Sequence, residues 1–504
     1  MRNSAGRSKY SPQQGCAAAP GSRTRATDML FSSLPFVCLF LPVVLTVYFA
    51  LPKSSNNVVL VTASVAFYAW DDALALVPIG CSILINFATA RALQRLDKEK
   101  RRRLIGVAIA GNLAVLIVYK YTSFLFETAN ELLALVSGPG LPRARLPLPL
   151  GISFFTFHVI SYLVDVYRGT AQAQHSLGTF ALYILDFPQM IAGPIIRYRE
   201  IAHQLTTREA GFPDLDAGIL RFSVGLAKKL LVADPIGAVA DQVFALAGGE
   251  VSASLAWLGV LTYGLQIYYD FSGYSDMAIG LARMFGFRFP ENFNYPYTAN
   301  SIQAFWRRWH MTLSFWFRDY VYVPLGGNRG GEWRTARNLG IVFLLAGIWH
   351  GPSWNFVVWG LWHGLFLSFE RAASVQKMLA VAGPLSRIYV LLVVAIGWVF
   401  FRAENLGQAI TMIRSLFGIG ITKALNIPLG ALVSIPMWVL IVLACAMSAP
   451  IWPLTKVIWC RVAGGVAGRA ATDLAKTIFV AAVTLLSLAN MALTQQNPFI
   501  YFRF

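Results

Sequence analysis

The stretch NLGIVFLLAGIWHGPSWNFVVWGLWHGLFLSF, residues 338–369, contains no Asp, Glu, Lys or Arg. About 20 apolar residues in helical form cross the hydrocarbon core of a bilayer, so the stretch is too long for one span and too short for two full ones. Gly351-Pro352 divides it. Proline lacks a backbone donor and pushes the residue before it out of helical geometry, so the pattern predicts two helices meeting at a break, with His350 beside it. Twelve helical residues from Asn338 rise about 18 Å, which is roughly mid-depth in a core ~30 Å thick. An ionisable side chain at that depth is costly and marks function by default. A broken helix is tolerated there only against protein or a water-filled cavity.

The rest of the chain has the same texture. Of 504 residues, 56% are apolar and 13% charged, against roughly a quarter charged in ordinary soluble domains. A soluble globular protein is excluded. Uncharged runs recur at 29–52, 54–70, 73–90, 104–119, 146–164, 251–269, 338–369, 388–401, 424–455 and 477–502. They predict an all-α polytopic integral membrane protein with about 10–12 transmembrane helices plus re-entrant or interfacial helices. Residues 29–504 read as a single membrane domain. Residues 1–28 are polar and rich in Ser, Ala, Gly and Arg, a composition that cannot bury enough surface to fold. They read as a disordered extension, either foreign to the natural protein, with Met29 as its start, or a regulatory tail.

The net charge of +18 resolves into separate features. Arg2, Arg7, Lys9, Arg23 and Arg25 against Asp28 give the extension +4 and leave +14 for the rest. Arg91, Arg95, Lys98, Lys100, Arg101, Arg102 and Arg103 form the densest cationic cluster, which belongs on the cytoplasmic side by the positive-inside rule. So short a run between membrane segments argues against nucleic acid as a partner. The cysteines Cys16, Cys38, Cys81, Cys445 and Cys460 are scattered, without a CxxC pair, so neither disulfides nor a zinc-thiolate site is expected.

Polar and aromatic residues crowd into 266–364. A helix over 300–320 places Arg307, His310, Ser314 and Arg318 at spacings of 3, 4 and 4, beside Phe305, Trp309, Thr312, Trp316 and Tyr320. That pattern suits an interfacial helix or one lining a wet cavity. A plain interfacial anchor explains Trp-Arg-Arg-Trp equally well. Six arginines from Arg307 to Arg337, against Asp319 and Glu332, give a local +4 that would attract an anionic ligand. Neutral imidazole suits proton transfer near pH 7, but His363 repeats the Trp-His-Gly triplet of His350, so spacing does not separate them. No acidic ligand accompanies His310, His350 and His363, and no metal site is expected. His158, Asp186, Asp270 and Asp276 read as packing or pore-lining groups.

The chain resembles the membrane-bound O-acyltransferase family, and more narrowly its bacterial alginate O-acetyltransferase branch. The resemblance is carried by MLFSSLPFVCLFLPVVL from Met29, GISFFTFHVISYLVDVYRG (151–169), FPQMIAGPIIRY (187–198), YYDFSGYSDMAIG (268–280) and NFNYPY (292–297). It continues through FWRRWHMTLSFWFRDYVYVPLGGNR (305–329), GIWHG (347–351) and the terminal NPFIYFRF (497–504).

What the resemblance implies is an acyltransferase in the bacterial inner membrane, using cytosolic acetyl-CoA as donor and no permanently bound cofactor. The acetyl group would travel towards hydroxyls of an exported polysaccharide, alginate first, by way of periplasmic acetyltransferase partner proteins. His350, in GIWHG, would be the catalytic histidine and His310, in WRRWH, the second histidine of the site. By charge alone, Arg307, Arg308 and Arg329 are candidates to hold the phosphates of the acyl-CoA. Within the family, acetylation of peptidoglycan or cellulose and D-alanylation of teichoic acid are the competing readings. From other classes, a transporter or flippase would release no free CoA, and a noncatalytic scaffold would keep its function without either histidine.

Overall fold

The computed structural model describes residues 29–136, 138, 140–142, 146, 148–190, 193–246, 251–420, 427–451, 466–494 and 499–500; the segment 1–28 lies outside the described residues. Every regular element among them is a helix. The ones that matter below are α1 (Leu76–Arg95), α2 (Lys98–Leu135), α3 (Ile152–Arg168), α4 (Phe212–Ala227), α5 (Ala253–Met284), α6 (Ile302–Trp306), α7 (Met311–Phe317), α8 (Gly331–His350), α9 (Trp354–Phe369) and α10 (Ser386–Arg402).

Four described helical stretches are long and apolar enough to cross a bilayer unaided: Ala73–Arg95, Lys98–Leu135, Ala373–Arg402 and Ala470–Leu493. Their Val, Leu and Ile side chains are largely exposed in the isolated chain, as at Val77, Leu84, Val107 and Leu392, which is the surface a lipid-facing helix presents. Other apolar runs become shorter helices packed within the protein. The central one is α5, whose residues from Leu258 to Ala282 are almost all buried. This is a protein of the membrane, and its interior is built around α5.

Close approach in that interior uses glycine. A Cβ on Gly225 of α4 would lie 2.5 Å from the Gly273 carbonyl of α5, and one on Gly273 would lie 2.8 Å from the Gly225 carbonyl. The pair α8 and α9 repeats the device: a Cβ on Gly347 would run into the Phe356 carbonyl, and one on Gly360 into that of Phe343. Lipid offers no hydrophobic drive between helices, so backbone contact through small residues supplies the packing instead. Gly347→Val is therefore expected to force α8 off α9, at a cost on the order of 3 kcal/mol. Size-exclusion chromatography of the detergent-solubilised variant should show loss of the monodisperse peak; an unchanged profile and melting temperature would contradict the contact.

Arginines gather at one end of the bundle. Arg101, in the first turn of α2, donates to the Val166 carbonyl near the end of α3 at 2.7 Å, and Arg168 donates to the Asp319 carbonyl at 3.0 Å. The Asp319 carboxylate also receives Arg197, Arg199 at 2.5 Å and Arg318 at 2.7 Å. Asn338 of α8 reaches the carbonyls of Leu325 and Gly327, and Glu370, just past α9, accepts the amides of Ile302 and Gln303 at 2.6 and 3.0 Å. The starts of α2, α6 and α8 and the ends of α3, α7 and α9 thus share a basic end. Residues 302–317 enter and leave from that same end, so they form a re-entrant hairpin.

Partial burial pushes the Asp319 carboxyl up, but Arg318, then Arg197 and Arg199, hold it below its ordinary value. A carboxyl depressed in the folded state contributes stability that is present above its unfolded pKa, about 3.9, and is lost as pH falls through the lower folded value. Asp319→Asn should therefore melt below the parent at pH 7, with the gap closing as pH drops below about 4. Equal melting temperatures at pH 7 would show that the cluster is not stabilising.

Candidate active site

His350 is the last residue of α8 and is 6% exposed. Gly351 follows in an extended conformation, and Ser353 opens α9 by accepting the Asn355 amide at 3.3 Å. Asn355 in turn donates to the Ala403 carbonyl at 2.6 Å, tying the break to the end of α10. The two helices meeting at Gly351-Pro352 are thus present as the sequence predicts. The His350 ring lies edge-on to Trp359 at 4.9 Å and to Phe401 at 5.1 Å, and 5.0 Å from Trp349.

Residues 300–320 do not form one helix. α6 stops at Trp306 and α7 starts at Met311, with a turn between them. The cause is His310, whose φ of 42° and ψ of 55° are left-handed. A residue with a Cβ pays roughly 1–2 kcal/mol for that conformation, and it persists where the surroundings over-determine it. NFNYPY supplies them: the Asn294 amide donates to the Arg308 carbonyl and the Met311 amide to the Asn292 carbonyl, both at 2.9 Å. The Asn292 side chain accepts from the Thr312 hydroxyl at 2.9 Å and donates to Ser275 of α5 at 3.0 Å. The predicted stripe is accordingly split. Arg307 is exposed on the turn, His310 is 1% exposed, Ser314 bonds back to the Trp306 carbonyl at 3.1 Å, and Arg318 sits at the basic end.

The turn aims His310 at the same place as His350. Its ring is 4.6 Å from Phe271 of α5 and 6.3 Å from Trp349. The two histidines, 40 positions apart in the chain, therefore share the Trp349 indole. Trp359 continues the wall from His350 to His363, whose ring lies 5.2 Å from it and 4.9 Å from Trp306. Location separates the two Trp-His-Gly histidines. His350 sits at a severed helix end, whereas His363 is inside continuous α9, packed so closely on α10 that a Cβ on Gly397 would meet its Nε2 at 2.5 Å.

Of the candidate arginines, Arg308 donates to the Thr298 hydroxyl at 2.8 Å, Arg307 is exposed beside it, and Arg329 is exposed in the loop that precedes α8 at the basic end. The structure brings the first two to the His310 turn and leaves Arg329 apart from them in the chain's path. Asp270 pairs with Lys229 at 2.8 Å, Asp276 with Arg221 and Lys228 at 2.6 Å each, and His158 accepts the Ile196 amide at 3.3 Å. Each of the three thus has a partner within the protein. Among the described residues, no group of three or more His, Cys, Asp or Glu side chains is placed to hold a metal ion. Asn292 escaped the sequence reading, although an amide inside an aromatic loop motif was a signal for a backbone brace.

A model of MBOAT, the membrane-bound O-acyltransferase family, matches residues 146–407, more than half of the chain and the whole of this site. The chain belongs to the membrane-bound O-acyltransferase family. It is similar to the probable alginate O-acetylase AlgI of Pseudomonas aeruginosa, at 44% identity over 397 residues that cover 78% of this chain and 75% of the relative. The peptidoglycan O-acetyltransferase of Helicobacter pylori is 36% identical over 431 residues, covering 78% of this chain and 81% of its own. The teichoic acid D-alanyltransferase of Bacillus subtilis is 31% identical over 261 residues, covering 48% and 64%. This MBOAT protein is an acyltransferase of the membrane that takes its acyl group from a donor.

Proposed function

We propose that this protein is the inner-membrane O-acetyltransferase that carries acetyl from cytosolic acetyl-CoA towards hydroxyls of an exported polysaccharide, alginate. The observation that carries the reading is the convergence of His310 and His350 on Trp349 at the broken end of α8, about 18 Å in from the level of Asn338. Lysines and arginines mark the basic end as cytoplasmic. Acetyl-CoA approaches from that end, with Arg307, Arg308 and Arg329 as candidate partners for its phosphates.

The chemistry follows from the residues. His350, neutral in its aromatic surroundings, takes the proton of the acceptor hydroxyl as that oxygen attacks the thioester carbonyl. His310 donates to the oxyanion that forms. Collapse breaks the C–S bond, and the His350 imidazolium returns its proton to the departing thiolate. The acceptor hydroxyl belongs to the polymer or to a periplasmic acetyltransferase partner that completes the transfer.

The test is acetyl transfer by the purified protein in proteoliposomes, read as free thiol released from acetyl-CoA, together with NMR of the exported polymer from a deletion strain. Thiol release and a loss of alginate acetyl signals support the proposal. Absence of thiol release favours a transporter. The Helicobacter relative keeps peptidoglycan as the second reading, and loss of muropeptide O-acetyl groups with alginate unchanged would select it.

A further inference from the structure

A helix that ends inside a membrane protein leaves its last four carbonyls without intrahelical partners, and away from water each unsatisfied one costs several kcal/mol. α8 ends this way at His350. The last three of its carbonyls are met by two consecutive residues of α2, far from the site in sequence. The Tyr121 hydroxyl donates to the Ile348 carbonyl, and Lys120 Nζ donates to those of Trp349 at 2.6 Å and His350 at 3.2 Å. The third ammonium donor reaches Ser153 Oγ, on α3, at 3.4 Å.

Lys120 is only 9% exposed, and among the described residues it forms no ion pair with a carboxylate. A buried cation is costly in such a place, and a water or hydroxyl would satisfy a carbonyl more cheaply. What the ammonium adds is a charge matched to the negative end of a helix and three donors fixed in one tetrahedral geometry. Those donors lock α2, α3 and the end of α8 together at the carbonyls of Trp349 and His350. Lys120 Nζ also lies 5.9 Å from the centre of the Trp349 ring, the indole shared by both histidines.

We propose that Lys120 is a positioning residue for acyl transfer, assisted by Tyr121, which fixes the backbone from which the His350 and Trp349 rings project. The inference rests on the reading of His350 as the base. A displacement of about 1 Å at a reacting group can cost 10²-fold in rate, so loss of this clamp should appear in turnover rather than in donor binding.

The experiment compares the purified parent, Lys120→Met, Lys120→Arg, Tyr121→Phe and His350→Ala in proteoliposomes, with kcat and KM for acetyl-CoA measured by thiol release. Lys120→Met is expected to lose at least about tenfold in kcat with KM within about twofold. Lys120→Arg, which keeps a cation and several donors, should recover most of that loss, and Tyr121→Phe should lose about threefold. A parental kcat in Lys120→Met, or a change confined to KM, overturns the proposal provided that His350→Ala is inactive. An active His350→Ala protein instead overturns the reading beneath it. If Lys120→Met does not accumulate in the membrane, Tyr121→Phe decides, and a parental kcat there overturns the clamp.

Discussion

His350→Ala is expected to insert and fold but to release thiol from acetyl-CoA at least ~10³-fold more slowly than the parent. A positioned general base contributes typically 10²–10⁴-fold, so the loss corresponds to about 4 kcal/mol of transition-state stabilisation. The substitution also empties space between Trp349, Trp359 and Phe401, and a slow enzyme must be told from a damaged one. His363→Ala provides the comparison. His363 is fully buried, flanked by Trp306 and Trp359, and carries the same Trp-His-Gly triplet, so its removal costs similar packing without touching the severed helix end. It should retain turnover within about tenfold of the parent, because a packing cost alone leaves the base in place. Equal losses in the two variants would assign the effect to packing and remove His350 from the chemistry.

That contrast was only half legible in the sequence. The uncharged run around Gly351-Pro352 announced a break, because proline's effect on its neighbours is local and does not depend on the fold. Helical content and membrane class were legible for the same reason, since a length of uncharged apolar chain is itself the physical requirement for a span. Spacing did not separate His350 from His363, because both lie in the same triplet; the sequence distinguished them only by the proline after Gly351, and the packing of His363 inside a continuous helix is a property of the fold.

The 300–320 segment shows the opposite failure. Its 3-4-4 spacing is a sound helical pattern, and α6 and α7 are indeed helical on either side of the turn. The left-handed His310 between them is imposed from outside by Asn292 and Asn294, which bond across to Met311, Thr312 and Arg308. Periodicity within one window carries no information about such a brace. Lys120 was not legible at all. It is one cation at the end of the uncharged run 104–119, its partners are carbonyls of residues more than 200 positions away, and carbonyls have no sequence signature.

The imposed turn leads to the second large effect. His310→Ala and His310→Gly should each lose about 10²-fold in transfer, the usual consequence of removing one donor to a developing oxyanion. They should differ from each other in stability. Both remove the same ring from beside Phe271 and Trp349, so the cavity cost is common to the pair. At a φ of 42°, alanine still pays for a Cβ in the left-handed region while glycine does not. The Gly variant is therefore expected to be the more stable by about 1 kcal/mol, visible as a higher melting temperature, although both are equally slow. Activity and stability then move independently at one residue, as they must if the strain serves to aim a ring rather than to hold the fold. Should the Ala variant prove the more stable, the left-handed turn is not the conformation of the working protein. Should either variant transfer acetyl at the parental rate, His310 has no part in the chemistry, and the strain at the turn has some other use.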